Sequence, residues 1–394
     1  MIICELTNGS SCEKRYYLQK RLYDFLGKKY KKFYFVNTHN IFNKKKLKIN
    51  HQLFKKKNII HFNPNTISEL NDFLNRNDIF LINNVSFQLK HILFHFLVSK
   101  NNIFQISFSN VFQLTNYKIE NWKYANLLRK IKFLFTKKFS LLVHRILIIL
   151  RIINQINILY VAQKNVFKKY SLTHNRKNIF IKKYKLVKSA SVKLPIDKSK
   201  KKKSKKYITF IDTGIMHHDI SKRGYIIDNN ITKKYFLFLK NYLKNINKVF
   251  HKEIIICLHP SSNYNLYKKE LSGFKVYKYK TEEYILNSFL VLFHDSSAIF
   301  SAISLGKKII SLKSDITGPY LGARRLFYMK KFSFIEHNIE KNLKFNNKTL
   351  TNQLNKKIKN YKNIIKKIYY TDETSLPIEK RIDDEIQNLI KRKS

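Results

Sequence analysis

Short apolar runs alternate with helix-like patterns along the first half of the chain. Six of the runs predict buried β-strands, at residues 2–5, 33–36, 59–62, 79–82, 103–108 and 158–161. Between them, apolar residues three and four positions apart predict helices at 13–26, 67–75, 88–97 and 122–153. Strands that alternate with helices are typical of βαβ units, so we expect a mainly parallel sheet.

The second half of the chain repeats this alternation more clearly. Strands are predicted at residues 207–212, 253–258, 274–277, 289–293 and 308–312, and helices at 232–250, 281–287 and 298–305. Thr281 is predicted to cap its helix, and Gly306 stands where glycine commonly closes a helix. Five strands in so short a segment have the spacing of a doubly wound sheet.

A run of like charges from Ser199 to Lys206 separates the two halves, and such runs are usually solvated and flexible. We therefore predict four parts, which are an N-terminal domain at 1–195, a basic linker at 196–206, a second domain at 207–345 and a helical tail at 346–394. The tail carries both basic and acidic blocks, and we expect it to pack back across the domains.

The net charge of the 394-residue chain is +53, from 78 Lys+Arg against 25 Asp+Glu. Coding bias accounts for much of it, because the chain holds only 8 Gly and 5 Pro while Lys, Asn, Ile, Phe and Tyr abound, as AT-rich DNA would produce. The charge is compatible with a nucleic-acid partner, a membrane surface or a merely solvated surface. Hydrophobic residues make up 44% of the chain, which excludes global disorder.

Signals for targeting are weak along the chain. The N-terminus has neither the basic nor the long apolar segment of a signal peptide. The most apolar stretch, 141–162, is broken by two arginines and is therefore too charged for a membrane span. Cys4, Cys12 and Cys257 match no zinc spacing and are expected to be buried and reduced. These features favour a cytoplasmic protein.

Three polar clusters follow predicted strands of the second half, and doubly wound sheets bind ligands beyond the carboxyl ends of their strands. The clusters are Asp212-Thr213-Gly214, His259-Pro260-Ser261-Ser262 and His294-Asp295-Ser296-Ser297. Ser296 and Ser297 precede a predicted helix, where hydroxyls and free N–H groups favour an anion, although helix capping alone would also explain them. His259 can donate to a phosphate oxygen, and a purely structural histidine is the alternative.

Other familiar sites are not indicated. Asp212, His217, His218 and Asp219 are of metal-ligand type, but their loop lacks an established ligand spacing, so no metal site is predicted. The chain contains no GxGxxG, Walker A, HExxH or GxSxG motif. This weakens the dehydrogenase, P-loop, zincin and hydrolase interpretations.

Within residues 207–315, the order of the strand-end motifs carries a resemblance. The motifs are Phe210-Ile211-Asp212, His217-His218-Asp219, Leu258-His259-Pro260, Lys280-Thr281-Glu282-Glu283, His294-Asp295-Ser296-Ser297-Ala298-Ile299 and Gly306-Lys307-Lys308-Ile309-Ile310. This stretch resembles the C-terminal half of bacterial surface-polysaccharide biosynthesis proteins of the GT-B glycosyltransferase type. The His-Pro and Ser-Ser elements are more distantly similar to those of bacterial sialyl- and polysialyltransferases. The resemblance implies an α/β GT-B fold, with two Rossmann-like doubly wound parallel-sheet domains facing a cleft.

The resemblance also implies a nucleotide-sugar donor held by the second domain and a glycan or lipid-linked acceptor on the side of the first. His259, Ser296 and Ser297 would contact the donor phosphate, and Thr281 would lie near the nucleotide. The remaining donor-site candidates are Asp212, Thr213, Gly214, His218, Pro260 and His294. Transfer would be metal-independent, with no cofactor beyond the nucleotide-sugar co-substrate.

A catalytic base is harder to assign than the donor site. The acidic Asp-Asp-Gly or Glu-Asp-Gly motif that supplies the base of the polysialyltransferases is not found in residues 1–190. Glu5 and Glu13 flank the first predicted βα loop, and either could deprotonate an acceptor hydroxyl, so both join His259 as catalytic candidates. A surface carboxylate, or a glutamate favoured by a helix start, would also explain them.

Residues 130–151 interleave six Lys and Arg with aliphatic and aromatic residues. A basic amphipathic helix can dock on anionic lipid, which would suit a membrane-anchored acceptor, whereas a core helix with snorkelling cations is the alternative. The sequence as a whole predicts a glycosyltransferase for lipopolysaccharide, capsule or a similar surface glycan, peripheral to the inner face of the cytoplasmic membrane. The alternatives are a nucleotide-sugar epimerase and a nucleic-acid-binding protein that uses the Lys200–Lys206 run, although the main hypothesis expects no nucleic acid.

Overall fold

The structure is a computed structural model. It describes residues 1–7, 20–30, 33–42, 59–76, 78–85, 87–108, 139–161, 180–186, 206–214, 229–296, 298–316, 329, 332–341, 346–368 and 378–392. The chain forms two compact units. Unit 1 comprises residues 1–115, 131–191 and 368–394, and unit 2 comprises 116–130 and 192–367.

Unit 1 contains a seven-stranded parallel sheet. Its strands are β1 (Ile2–Thr7), β2 (Phe33–Asn37), β3 (Ile59–Phe62), β4 (Ile79–Asn83), β5 (Phe104–Phe108), β6 (Ile156–Val161) and β7 (Ile181–Leu186), in the order β3-β2-β1-β4-β5-β6-β7. The six predicted strands of the first half are all confirmed. Strand β7 is not predicted by the sequence pattern, because it is an edge strand whose lysines hide its apolar positions.

The helices of unit 1 cover both faces of this sheet. They are α1 (Lys20–Lys29), α2 (His39–Phe42), α3 (Ile67–Asn75), a 3₁₀ turn at Leu89–His91, α4 (Ile92–Lys100), α5 (139–149) and the chain's last described helix, α11 (Ile378–Lys391). Of the predicted helix at 122–153, the part before 139 lies outside the described residues. Its end at 153 is wrong, because a turn follows residue 149.

Alternate side chains of β1 enter two separate apolar cores of unit 1. Ile3 packs with Tyr23 and Phe33 on one face, whereas Cys4 and Leu6 pack on the other. This follows from the two-residue period of a strand. The last helix, α11, completes the first of these cores with residues four apart, Ile378, Ile382 and Ile386.

Unit 2 contains a six-stranded parallel sheet. Its strands are β8 (Tyr207–Ile211), β9 (Glu253–Leu258), β10 (Lys275–Lys278), β11 (Ser288–Phe293), β12 (Lys308–Lys313) and β13 (Ile335–Asn338), in the order β10-β9-β8-β11-β12-β13. The order reverses between β8 and β11, as in dinucleotide-binding sheets. The five predicted strands are confirmed, whereas β13, a half-polar edge strand, was missed.

The helices of unit 2 are α6 (Asn229–Phe250), α7 (Tyr264–Glu270), α8 (Thr281–Asn287), α9 (Ile299–Ser304) and α10 (Asn347–Ile368). The predicted cap at Thr281 is wrong, because Lys280 holds the cap position and makes no side-chain cap bond. The Thr281 hydroxyl instead bonds to the Cys257 thiol. Gly306 has a φ of +63°, the left-handed conformation expected where glycine closes a helix.

The core of unit 2 forms between α6 and the sheet. Apolar residues of α6, including Phe236, Leu239 and Leu243, pack with Phe210 of β8 and Ile256 of β9. Both sheets are thus parallel and doubly wound, so the predicted α/β architecture is confirmed. Among the described residues, no helix is both long enough and apolar enough to cross a bilayer.

Candidate functional site

The three strand-end motifs of unit 2 follow adjacent strands at the point where the strand order reverses. Ile211 of β8 pairs with Phe293 of β11 on one side and with Cys257 of β9 on the other. Since the strands are parallel, the residues that follow them leave the sheet at the same edge. This is the position at which doubly wound sheets bind ligands.

Asp212 ties the end of β8 to the turn that follows β9. Its carboxylate is buried and accepts hydrogen bonds from the backbone N–H of His259 (3.1 Å), the Ser262 hydroxyl (2.5 Å) and the Tyr267 hydroxyl (2.6 Å). Burial, with the Asp212 charge second, raises the pKa of Tyr267 well above its usual value, so this hydroxyl remains a donor. Asp212 therefore holds the His259 turn in place from within the protein.

His259 lies half-buried beside the end of β8. The Ser261 N–H donates to its Nδ1 (3.2 Å), so the neutral ring carries its proton on Nε2. A Cβ added at Gly214 would lie 3.1 Å from this Nδ1, and Gly214 has a φ of +71°. Glycine thus lets the loop after β8 lie directly against the imidazole.

Lys278 adds a cation to this turn. It is the last residue of β10, and its Nζ donates to the Pro260 carbonyl oxygen (3.4 Å). Burial lowers the pKa of Lys278, and the charge of Asp212 opposes that shift. Neither Lys278 nor Tyr267 was among the predicted site residues. The sequence feature that could have identified Lys278 is its position one residue beyond a predicted strand.

Thr213 carries an unsatisfied hydroxyl at the same edge. Its Oγ1 is buried and has no hydrogen-bond partner among the described residues. Most buried polar groups are paired, so an unpaired one in a native site calls for an explanation. A ligand oxygen or N–H group bound at this edge would satisfy it.

His294 is fully buried and is held from two sides. Its Nδ1 donates to the Leu312 carbonyl oxygen (2.8 Å), and its Nε2 accepts from the Tyr235 hydroxyl (3.0 Å). Both ring nitrogens are thus used within the protein, linking β11 to β12 and α6. The geometry gives His294 a structural role at the edge of the site and leaves no ring nitrogen for a donor phosphate.

The residues that follow His294 form the start of α9. The Ser296 hydroxyl accepts from the Ala298 N–H (3.3 Å), and the Ser296 carbonyl accepts from the Ile299 N–H (3.2 Å). Ser296 thus caps the turn that leads into the helix, the alternative already open from sequence. Ser297 lies outside the described residues, as do His217, His218 and Asp219 of the loop after β8.

Thr281 lies near an aromatic and cationic surface. Tyr277 and Tyr284 stack with ring centroids 4.7 Å apart, and the Lys280 ammonium lies 5.4 Å from the Tyr277 centroid. All three side chains are at least partly exposed. A flat, partly exposed ring pair of this kind can stack with a nucleobase.

In unit 1, Glu5 occupies the corresponding reversal of strand order, between β1 and β4. It is fully buried, and its Oε1 accepts from the Asn84 side-chain amide (2.7 Å). The strand extends to Thr7, so Glu5 lies inside β1 and does not flank the loop as predicted. Glu13 lies outside the described residues.

The described residues contain no group of three or more His, Cys, Asp or Glu side chains that could hold a metal ion. Cys4 and Cys257 are buried and free, as expected, and Cys12 lies outside the description. The described part of the predicted basic linker is Lys206 alone.

Comparison with known proteins identifies the fold. No family model matches the chain, and no curated protein does. The structure is similar to that of the wall teichoic acid polymerase TagF, with a TM-score of 0.56, 13% identity and coverage of 100% of this chain and 89% of that chain. It is also similar to CalG4, the calicheamicin glycosyltransferase, with a TM-score of 0.52, 8% identity and coverage of 100% and 99%.

These similarities, together with the two sheets, confirm the GT-B fold. A UDP-GlcNAc 2-epimerase from Neisseria meningitidis overlaps less well, with a TM-score of 0.48, 12% identity and coverage of 99% of this chain and 100% of that chain. That overlap is too low to support an argument about this protein. The more distant similarity to sialyltransferases stays a prediction.

Proposed function

We propose that this chain is a glycosyltransferase that moves a sugar from a nucleotide-sugar donor to a growing surface glycan. The observation that carries the proposal is the His259 turn, which Asp212 fixes at the strand-order reversal of unit 2. TagF and CalG4, by their names a polymerase and a glycosyltransferase, support the general class. Lipopolysaccharide or capsule remains the proposed kind of acceptor, reached at the inner face of the cytoplasmic membrane.

In this proposal His259 acts on the donor phosphate. Its Nε2–H donates to a phosphate oxygen, and this hydrogen bond strengthens as negative charge develops on the leaving nucleotide. Lys278 adds a positive group beside the same turn. Positioned donors of this kind lower a barrier because they bind the developing charge more strongly than the ground state.

The other residues of the edge bind and orient the donor. Thr213 offers its unsatisfied hydroxyl, and Ser296 offers the lone pair that its capping bond leaves over. Tyr277 and Tyr284 provide a stacking surface for the base near Thr281. His294 and Asp212 act indirectly, as residues that position the turn and the strand ends.

Unit 1 supplies the acceptor side in this proposal. Glu5 or Glu13 takes the proton from the attacking hydroxyl, since a carboxylate within hydrogen-bond reach is sufficient for that role. No metal takes part, so transfer is expected to persist in a chelator such as EDTA.

Thermal unfolding with a panel of nucleotide donors tests the donor site. The panel contains UDP-, CMP-, GDP- and dTDP-sugars, and also CDPG, with which a TagF variant was soaked. One nucleotide class should stabilise the wild type, by about 2.7 kcal/mol at a hundredfold excess over Kd. His259→Ala should lose that stabilisation, because it removes the phosphate donor.

The matched control is His251→Asn, at an exposed histidine after α6 whose φ of +49° asparagine tolerates. It should respond as the wild type does. Equal stabilisation of His259→Ala would remove His259 from the donor site. Product analysis separates the epimerase, because an isomerised free nucleotide sugar formed without acceptor would contradict glycosyl transfer.

A further inference from the structure

Helix α5 and the turn after it carry a concentration of exposed apolar side chains. Six of the thirteen large hydrophobic residues that the structure shows as exposed lie within residues 139–152, each between 42% and 65% exposed. They are Phe139, Leu142, Ile146, Ile149, Leu150 and Ile152. Single exposed apolar residues are ordinary, but a contiguous group marks an interaction surface. We call this group the α5 face.

Helix α5 mixes polar residues with the apolar Ile148 on its buried side, whereas its exposed side is largely apolar. Its buried side carries Ser140 and His144, four residues apart, where the Ser140 hydroxyl donates to the Phe87 carbonyl oxygen (3.0 Å). The His144 ring packs edge-on against Phe87, with centroids 5.4 Å apart. A helix that only covered a core would place its apolar residues inward and its polar residues outward. The α5 face therefore suits an apolar medium outside the protein.

The end of α5 is also closed in a way that suits such a medium. Arg151, with a φ of +59°, donates its N–H to the Ile148 carbonyl, and Ile152 donates to the Leu147 carbonyl. This is the Schellman pattern, which satisfies the last carbonyls of a helix. Backbone groups left unpaired would be costly near a bilayer interior.

Charge decides the kind of partner. Arg145 and Arg151 are exposed beside the apolar residues, and positions 139–153 contain no Asp or Glu. Arg145 also lies 6.0 Å from the Phe180 ring centroid. Apolar side chains flanked by arginines fit an anionic lipid surface. The headgroups attract the arginine cations, and the acyl region accommodates the apolar side chains. A second copy would bring like charges together across a two-fold contact.

We propose that the α5 face docks unit 1 on an anionic membrane surface. Leu142, Ile146, Ile149 and Leu150 enter the boundary between headgroups and acyl chains, and the two arginines pair with headgroup phosphates. The sequence pattern indicates residues 130–151 as a candidate lipid-binding segment. The proposal rests on its described part, from residue 139 onward. The inference goes beyond glycosyl transfer and does not rest on it, because docking needs neither donor nor acceptor.

Sedimentation with lipid vesicles tests the apolar part of the contact. Wild-type protein should pellet with vesicles of phosphatidylcholine and phosphatidylglycerol. The triple variant Ile146→Gln/Ile149→Gln/Leu150→Gln should bind at least about tenfold more weakly, because it removes three inserting side chains. Glutamine favours helix at 146 and 149, Leu150 lies in the turn after the helix, and all three sites are exposed, so the thermal unfolding midpoint should stay unchanged. The control is Leu237→Gln, at an exposed leucine of α6, which should pellet as the wild type does.

Neutralising the arginines tests the electrostatic part. Arg145→Gln and Arg151→Asn should each weaken binding about fivefold at low salt, from about 1 kcal/mol per cation. Asparagine keeps the left-handed conformation of position 151. Binding of the triple variant equal to the wild type would overturn the proposal. So would a wild type that ignores vesicles but forms dimers that the triple variant does not form, because the face would then join two copies of this chain.

Discussion

Each sheet carries a buried carboxylate at its reversal of strand order, one residue beyond the strand in unit 2 and within the strand in unit 1, and the surroundings of the two differ. In unit 2, Asp212 accepts from the His259 backbone N–H and two hydroxyls, and its charge acts on the nearby Lys278 ammonium. In unit 1, Glu5 lies beside neutral amides, where Asn84 donates to Glu5 and Asn83 donates to the Gln105 side chain (2.8 Å). The Lys278 cation and the His259 Nε2–H donor suit an anionic ligand, whereas amides and a carboxylate suit hydroxyl groups.

The position along the strand explains part of this difference. Asp212 is the first residue after β8, so it reaches the next turn and accepts three hydrogen bonds that hold that turn. Glu5 lies inside β1, between residues of the sheet core. The same fold thus offers a carboxylate that supports a neighbouring loop and another, buried within a strand, to which the proposal assigns proton transfer. The predictions below separate these two roles.

The largest expected effect is on transfer by Glu5→Gln. Glutamine keeps the shape and can still accept from Asn84, but it cannot take a proton. Transfer to the acceptor should fall by roughly 10²–10⁴-fold, the usual contribution of a general base, while donor-induced stabilisation stays at the wild-type level. Initial rates with saturating donor, together with the thermal shift, measure the two quantities.

Glu13→Gln is the matched comparison for the base. Loss of transfer there, with Glu5→Gln active, would move the base to Glu13. The contrast between the two carboxylates would be contradicted if Glu5→Gln lowered the free energy of unfolding as much as Asp212→Asn does. Glu5 would then be a structural carboxylate like Asp212.

The next largest effect is on the stability of Asp212→Ala. This change leaves a backbone N–H and two hydroxyls without their acceptor, so the free energy of unfolding should fall by about 3 kcal/mol or more. Donor-induced stabilisation should disappear as well, because the His259 turn loses its support. Urea unfolding measures the first effect and the thermal shift measures the second.

Asp212→Asn should cost less stability, since an amide oxygen at the Oδ2 position still accepts from two of the three donors. A donor-induced shift that stays at the wild-type level in Asp212→Ala would show that the turn holds its shape without the carboxylate. The positioning role would then be wrong.

The central strands could be predicted from sequence because both of their faces are buried. Runs such as Ile254–Leu258 are continuously apolar, as parallel strands covered on both faces must be. The edge strands β7 and β13 were missed because water reaches one side of them and lysines or polar residues interrupt the pattern. The edge strands β3 and β10 were nevertheless predicted, so the composition of a strand, and not its place in the sheet alone, decides whether the sequence pattern reveals it.

The location of the candidate site could be predicted from the sequence, but the roles of its side chains could not. His259 and His294 both follow apolar strands, yet His259 lies half-buried at the edge, whereas His294 turns inward to Leu312 and Tyr235. The direction in which such a residue turns depends on the elements that pack against it. Tyr267 was missed for the same reason, because its contact with Asp212 crosses 55 positions of sequence.

The smallest expected effect is that of changing Thr213. It tests whether the unit 2 edge, which is proposed to bind the anionic donor, also uses the Thr213 hydroxyl. Thr213→Val keeps the shape and removes a buried hydroxyl that has no partner among the described residues, so the free protein should lose no stability. Donor affinity should fall about fivefold, from one lost hydrogen bond of about 1 kcal/mol. Titration of the thermal shift with donor measures it.

The control is Ser311→Ala, which removes another buried hydroxyl without a described partner, inside β12. It should leave donor affinity unchanged. Unchanged affinity in Thr213→Val would place the hydroxyl outside the donor site. A loss of stability in the free protein would mean that Thr213 serves the fold, and the unit 2 edge would then hold its ligand through His259 and Lys278 without it.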